Sequence, residues 1–575
     1  MAGVTPAARV ERVNGPLVEV TGLLEPTMLG IVELGETALP SEIVSIAGDR
    51  VVLQAYEYTG GLRVGDPAVF RGLPLSGRLG PGLLGHAFDG LMRPLSEAPR
   101  WLVPGQSDAA ATRTWRFRPV AGLGEELAAG DVLGIVPDSG AVEHRVLVPA
   151  GLAGTLEWIA PDGDRGWDDA VARVAGRDIL LAERWPLRRP RPFAERLGDV
   201  VPLHTGQRVL DLLYPVARGA TAAVPGGFGT GKTLLLQQIA KWSDADVIVY
   251  VGCGERGNEM ADVLDSFSAL VDSRTGGRLI DRTVIIANTS NMPMMAREAS
   301  IATGVTIAEY YRDMGHDAVV IADSTSRWAE ALREFANRNG ELPAEEGYPA
   351  SLASELARFY ERAGRVTTLG GQLASVTVIG AVSPQGGDMT EPVTTNTQRF
   401  VRSLWLLDRE LAYSRHYPAV SWTGSFSRDA GAIADWHSAN GDPAWGIQRA
   451  RAGVLLAEAD RLAGLAEIVG TSGLPPRERM ILLGGRLLRE GVLMQNALND
   501  NDGFCSAEKG AALLAFALDT IDECQRLVSD GAAATTVEQF DFSPLLRARE
   551  DVGPDDAAAV RERAERFLAE LAGVA

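Results

Sequence analysis

Eight consecutive residues carry the most specific chemistry in the chain. Gly226, Gly227, Phe228, Gly229, Thr230, Gly231, Lys232 and Thr233 fit the pattern G-x-x-x-x-G-K-[ST] in full. Glycines at these positions let backbone N–H groups close around phosphate oxygens at the positive end of the helix that follows. Lys232 is placed to reach the β- and γ-phosphates of a nucleoside triphosphate, and the Thr233 hydroxyl to hold Mg²⁺. Residues 220–225 read as a strand entering the loop and 234–242 as a helix leaving it. A chance glycine loop is the alternative; strand, helix and lysine together weigh against it.

Lysine is informative in its own right. Among the 55 basic residues only Lys232, Lys241 and Lys509 are lysines; the rest are arginine. Arginine is a planar fork and lysine a compact point charge. Under so strong a drift toward arginine, a surviving lysine is a candidate for a site that requires the point charge.

Two carboxylates extend phosphate binding to turnover. Glu255, in Gly252-Cys253-Gly254-Glu255-Arg256, lies 23 residues beyond Lys232, room for one crossover helix and one strand. The strand 246–251 then delivers Glu255 to the C-terminal edge of a parallel sheet, where ligands of open α/β sheets bind. A glutamate there can polarise a water for in-line attack on a γ-phosphate. The same spacing fits a helix-capping carboxylate or a salt bridge to Arg256. Asp323 ends the apolar strand 318–322, the form of a Walker B aspartate acting on Mg²⁺ through water. Apolar strands ending in aspartate are common, so Asp323 takes its meaning from the complete phosphate loop upstream.

Positioning these groups requires a parallel sheet. From about residue 190 the short apolar runs 221–224, 246–251, 283–286, 318–322 and 375–379 alternate with helix-length segments, the pattern of strands joined by crossover helices. Beyond about 437 the strands stop. Segments near 447–468, 476–497, 506–529 and 555–572 carry apolar residues at helical spacing, read as the core of a helical domain. Upstream, residues 1–72 are short β-forming runs broken by Asn-Gly, Ala-Gly and Gly-Gly turns, which suggests a small barrel. Residues 111–185 are Gly- and Pro-rich with β-like fragments, a separate unit closed by an Arg/Pro stretch at 185–192.

Composition sets the outer bounds. A length of 575 residues predicts three or four folded units. A formal net charge of −20 argues against a nucleic-acid coat or an anionic-lipid anchor. No run of about 18 apolar residues predicts a membrane span, and the first thirteen residues lack the layout of a secretory signal. Cys253, Cys505 and Cys524 are too few for a disulfide framework and fit a reducing cytoplasm; small apolar core roles are expected for them. The six histidines show no metal-ligand spacing.

The stretches 250–260 and 322–333, with Glu345-Glu346-Gly347-Tyr348-Pro349 and Gly380-Ala381-Val382-Ser383-Pro384, resemble the catalytic A subunit of V-type/archaeal-type rotary ATPases. The resemblance runs from Arg12-Val13-Asn14-Gly15-Pro16-Leu17 to Gln495-Asn496-Ala497. It implies a multidomain fold: an N-terminal β-barrel at 1–72, an inserted β-rich bulge domain at 111–185, and a C-terminal α-helical bundle at 438–575. Between them a central α/β P-loop (RecA-like) nucleotide-binding domain begins at 73–110 and resumes over 186–437. It also implies an ATP hydrolase or synthase coupled to H⁺ or Na⁺ transport, the choice of ion lying in other subunits. Mg²⁺ is the implied cofactor and ATP/ADP the substrate.

Carried over residue by residue, Lys232 and Thr233 match the family's phosphate and Mg²⁺ residues, Glu255 its catalytic glutamate, and Arg256 and Arg327 arginines near the phosphates. The family grips adenine between two aromatic residues. Tyr417 matches one, while Leu498 stands where the other is usually Phe or Tyr. The missing stack is worth about 1–3 kcal/mol by analogy with nucleic-acid stacking. Thr230 stands where eukaryotic relatives carry an oxidisable cysteine, so that redox switch is expected to be absent.

The implied partners are a non-catalytic B-type subunit, alternating in an A3B3 hexamer and donating an arginine in trans, a central stalk, a peripheral stalk reached through the insert, and a membrane ion-translocating sector. No nucleic-acid partner is expected. The chain would lie on the cytoplasmic side, peripheral to the membrane. Two alternatives remain at this point: another hexameric motor (F-type beta, secretion or flagellar ATPase, helicase-like terminator), or a nucleotide-binding structural subunit without turnover. The 225 residues ahead of Gly226, the insert and the negative charge weigh against the first; the retained loop, Glu255 and Asp323 weigh against the second.

Overall fold

The computed structural model describes residues 8–95, 113–272, 274–338 and 340–573. The reading of the first residues as lacking a secretory signal rests partly on 1–7, outside the described residues. Part of the 73–110 segment and the start of the 111–185 unit fall outside them too. The chain divides into two compact units, Met1–Leu197 with Ala245–Gly380, and Gly198–Asp244 with Ala381–Ala575.

The first unit opens with a barrel. Strands Arg9–Asn14, Leu17–Thr21, Arg50–Ala55, Leu39–Ala47, Gly30–Leu34 and Ala68–Pro74 neighbour one another in that spatial order. The ends meet where Val10 N–H donates to Asp66 O (3.0 Å) and Ala68 N–H to Ala8 O (2.9 Å). Alternate residues point inward, so Val18, Val20, Val32, Leu34, Ile43 and Leu53 fill the interior. The Asn14-Gly15 turn needs its glycine, whose φ is +58°.

Two four-stranded antiparallel sheets follow. One orders Glu126–Leu127, Gly154–Ile159, Ala170–Val174 and Arg177–Leu180; the other His144–Leu147, Val132–Val136, Thr114–Pro119 and Gly163–Gly166. Phe117, Leu133, Leu156 and Val171 lie in their common core. This β-rich part is tied down by pairing of Glu183–Pro186 with Ser76–Leu79 and by a 2.9 Å hydrogen bond between His144 and Tyr310. Burial drives the His144 pKa down to about 3, so it makes that bond as a neutral ring.

The same unit holds parallel strands in the order Leu373–Val382, Ala318–Asp323, Val247–Glu255, Thr283–Thr289 and Ala87–Phe88. They are buried along nearly their full length, as a sheet covered on both faces must be. Helices Gly257–Ala269, Met294–Asp313 and Thr325–Arg338 make the crossovers. One strand is longer than the sequence suggests: it runs from Val247 through Glu255, not to residue 251. Its register shifts between Cys253 and Glu255, and Gly254 makes the kink at φ +73°.

In the second unit Thr221–Pro225 and Ser403–Leu404 pair in parallel, with Phe426–Ser427 antiparallel at the edge. Helices Ala444–Val469, Pro476–Leu488, Ala507–Ser529 and Ala557–Ala572 form the C-terminal bundle. Phe516, Phe540 and Phe567 meet edge-on at its centre, ring centroids 5.4–5.5 Å apart. The helix expected over 476–497 stops early. It widens into a π-turn at Arg489–Leu493, after which buried Arg208 donates to Val492 O (2.6 Å) and Met494 O (2.7 Å). Arg208 thus supplies donors to carbonyls at the end of the helical run, where intrahelical partners run out.

Candidate functional site

The phosphate loop belongs to the second unit. Thr221–Pro225 is fully buried and delivers the chain to Gly226, and the helix Lys232–Trp242 begins directly after the loop. Gly229 and Gly231 have φ of +78° and +89°, a region β-carbon residues avoid. Gly231 is the helix N-cap and supplies no capping side chain, so no side chain of its own satisfies the first N–H groups of the helix. Lys232 Nζ donates to Gly226 O (2.5 Å) and Gly227 O (3.2 Å) across the loop. The Thr230 hydroxyl is buried and donates to Gly227 O at 2.9 Å, which closes the turn. Phe228 is 92% exposed at the tip.

A cavity of about 330 Å³ opens beside the loop, within the same unit. Gly231, Leu234 and Gln238 wall one side; Tyr417, Asn496 and Leu498 are on the others. A Cβ on Gly231 would sit 3.3 Å from the Tyr417 ring, so the last loop glycine lets the ring pack close to the loop. Gln495 N–H donates to Tyr417 O (2.8 Å) and its Nε2 to Gly206 O (2.8 Å). Leu498 is 96% exposed, offering an aliphatic face and no aromatic plane.

The carboxylates belong to the first unit. Asp323, 3% exposed, ends its strand and accepts a hydrogen bond from Tyr250 Oη at 3.1 Å. Glu255 is the last residue of the neighbouring strand, half-buried. Burial, the Asp323 charge and a hydrogen bond with Glu259 push its pKa up to about 8, with Arg327 opposing. Of the two bland readings of Glu255, the salt bridge is not the arrangement found. Arg256 is 70% exposed and lies 3.9 Å from Glu259, while Arg327, half-exposed, pairs with Glu330 at 3.0 Å. A Cβ on Gly254 would lie 2.8 Å from Arg327 Cβ, so this glycine admits Arg327 beside Glu255.

A carboxyl with a raised pKa beside a second, buried carboxylate suits proton transfer more than structural pairing. Among the described residues no three His, Cys, Asp or Glu side chains form a metal cage. In the first unit Asp323 is a buried strand-end carboxylate, a donor of the type Mg²⁺ takes one or two of while keeping several waters.

Four family models match in chain order. They are the ATP synthase alpha/beta family beta-barrel domain over 10–72, the ATP synthase alpha/beta subunit barrel-sandwich domain over 108–188, the ATP synthase alpha/beta family nucleotide-binding domain over 206–427, and the C-terminal domain of V and A type ATP synthase over 434–537. The V-type ATP synthase alpha chain of Nitrosococcus oceani is 48% identical, covering 93% of each chain. The chain belongs to the alpha-chain (catalytic A) family of V/A-type ATP synthases. The corresponding A-type ATP synthase chain of Thermofilum pendens is 44% identical over 98% of this chain and 96% of its own. That of Thermococcus sibiricus is 45% identical over 95% and 94%.

As a member of that family, it is a catalytic component of a rotary ATPase, binds ATP and ADP, and works within a multi-subunit complex. The fold matches the resemblance: barrel, β-rich extension, nucleotide-binding domain and helical C-terminal domain. The assembled ATPase EscN of an enteropathogenic E. coli type III secretion system shares the fold at TM-score 0.64, with 23% identity over 89% of this chain and 100% of its own. Among the described residues no helix is long and apolar enough to cross a membrane.

Three residues with a part in these sites escaped the sequence reading. Glu259 touches Glu255 from one helical turn along, and Tyr250 reaches Asp323 from the adjacent strand. Arg409 sends Nη2 to within 3.2 Å of where a Gly227 Cβ would lie. The first was legible as an acidic residue four positions on; the other two meet their partners only through tertiary structure.

Proposed function

We propose that this catalytic chain hydrolyses or synthesises ATP with Glu255 as the base that polarises the attacking water. The observation that carries this reading is the raised pKa of Glu255, about 8, at the end of a buried strand beside Asp323. Lys232 neutralises the β- and γ-phosphates, and the loop N–H groups bind their oxygens. Thr233 and, through water, Asp323 would hold Mg²⁺, whose charge would offset the charge developing on the phosphates. Arg256 and Arg327 add positive charge toward the γ-phosphate. The adenine occupies the cavity between Tyr417 and Leu498.

An arginine from a non-catalytic B-type subunit completes the charge balance in trans, with copies alternating as A3B3. The C-terminal helices grip a central stalk and the β-rich insert meets a peripheral stalk, with ion passage in a separate membrane sector and the chain on the cytoplasmic side. Mg²⁺-ATP hydrolysis by the full-length chain, with and without its B-type partner, tests the reading. Turnover that needs the partner supports it, and turnover by the chain alone points to a self-sufficient motor.

A further inference from the structure

Lys509 joins the two segments that wall one side of the base cavity. It is fully buried near the start of the helix Ala507–Ser529. Three backbone carbonyls surround Nζ: Asn501 at 2.7 Å, and Arg549 and Val552 at 2.9 Å each. An ammonium has three donors and no acceptor, so each proton has a partner. The Asn501 carbonyl belongs to the loop that presents Asn496, Ala497 and Leu498 to the cavity; the Arg549 carbonyl belongs to the segment that presents Arg549 and Glu550.

The surrounding contacts strengthen this junction. Asp502, next in the loop, pairs with Arg208 (2.6 Å) and Arg549 (2.5 Å) and accepts from Asn496 N–H (2.6 Å). Asn501 Nδ2 donates to Glu550 O at 2.9 Å. Burial lowers the Lys509 pKa, so the lysine is kept against a desolvation cost. Arginine spreads its donors over a planar fork and cannot converge on three carbonyls around one point. That accounts for a lysine here in a chain whose other basic residues, two apart, are all arginine.

We propose that Lys509 is a positioning residue for the nucleotide base, fixing the spacing between the Leu498 loop and the Arg549 segment. It touches neither base nor phosphates. The inference rests on assigning that cavity to the base.

The test compares binding of ATP and of inorganic tripolyphosphate, which has phosphates and no base, to the full-length chain. Wild type, Lys509→Met, Lys509→Arg and Tyr417→Ala are measured, with thermal melts alongside. Both Lys509 variants are expected to weaken ATP by about tenfold and leave tripolyphosphate unchanged. Unchanged ATP affinity in a folded variant overturns the inference, and so does an equal loss for both ligands, which marks general loosening. If Lys509→Met does not fold, Lys509→Arg, which keeps the buried charge, decides alone. Tyr417→Ala must also lose preference for ATP; if it does not, the cavity is not the base site and the inference falls with that assignment.

Discussion

The hydroxyl of Tyr250 donates to Oδ2 of Asp323 at 3.1 Å, across two neighbouring buried strands in parallel register. Burial and the Asp323 charge hold the Tyr250 pKa well above its usual value, so the phenol stays a neutral donor. The strand-end carboxylate is thereby oriented before any ligand arrives. Partners that orient a metal-site carboxylate typically change metal affinity by about 10–100-fold. Tyr250→Phe is expected to raise the Mg²⁺ concentration for half-maximal hydrolysis by about tenfold, read from a metal titration at saturating ATP.

With Glu255 as the proposed base, activity acquires a pH limit: a base must be ionised to act, and its pKa is pushed up to about 8. The kcat/KM profile reports groups of the free enzyme, so its ascending limb should have a midpoint near that value. Glu259→Gln removes one of the groups that raise it, and the limb should move to lower pH. A profile identical to wild type would detach Glu259 from the site.

The same shift fixes the sign of a stability effect. The folded protein holds the Glu255 proton up to about pH 8, whereas the ordinary carboxyl value is 4.5. Between these values the native state binds more protons than the unfolded state, so this group's contribution worsens as pH rises. Glu255→Gln should therefore melt at a higher temperature than wild type at pH 9 and at nearly the same temperature at pH 5. Melting curves at the two pH values check this.

His204 carries the same pH sign, but as a stabilising group whose contribution is lost on the alkaline side. Its Nδ1 lies 3.0 Å from Asp211 and its Nε2 2.9 Å from Cys505 O. Burial disfavours its charge, but Asp211 and Asp244 outweigh burial and raise the pKa from 6.5 to about 9. Its stabilisation is complete below pH 6.5 and disappears as pH rises through 9. His204→Asn should lower the melting temperature at pH 6 and have a smaller effect at pH 10.

Leu498 should limit base affinity. An aromatic ring opposite Tyr417 would add a stacking face worth about 1–3 kcal/mol. Leu498→Tyr is expected to tighten ATP binding by about tenfold or more and to change the ATP-to-GTP ratio. Identical dissociation constants for both nucleotides in both proteins would remove Leu498 from the base site.

The local parts of this machinery are legible in the sequence. The phosphate loop is contiguous, two of its glycines, Gly229 and Gly231, adopt positive φ, and Asp323 sits at the end of an unbroken apolar run. The non-local parts are not. The Gly254 kink that carries its strand on to Glu255 depends on pairing with residues 287–289. The carbonyls at the end of the helix near Leu493 are met by Arg208, nearly three hundred positions earlier. The base cavity draws walls from near 231, 417, 498 and 549, which no single pattern joins. The count of lysines, by contrast, already marked Lys509.

The most direct measurement takes the full-length chain with its B-type partner and compares wild type with Glu255→Gln for ATP binding and for steady-state Mg²⁺-ATP hydrolysis. If Glu255 is the base, the variant binds ATP as wild type does and turnover falls by about 10²–10⁴-fold, the range for loss of general base catalysis. Turnover within a few-fold of wild type, with binding intact, would contradict the assignment and leave the raised pKa of Glu255 without a catalytic role.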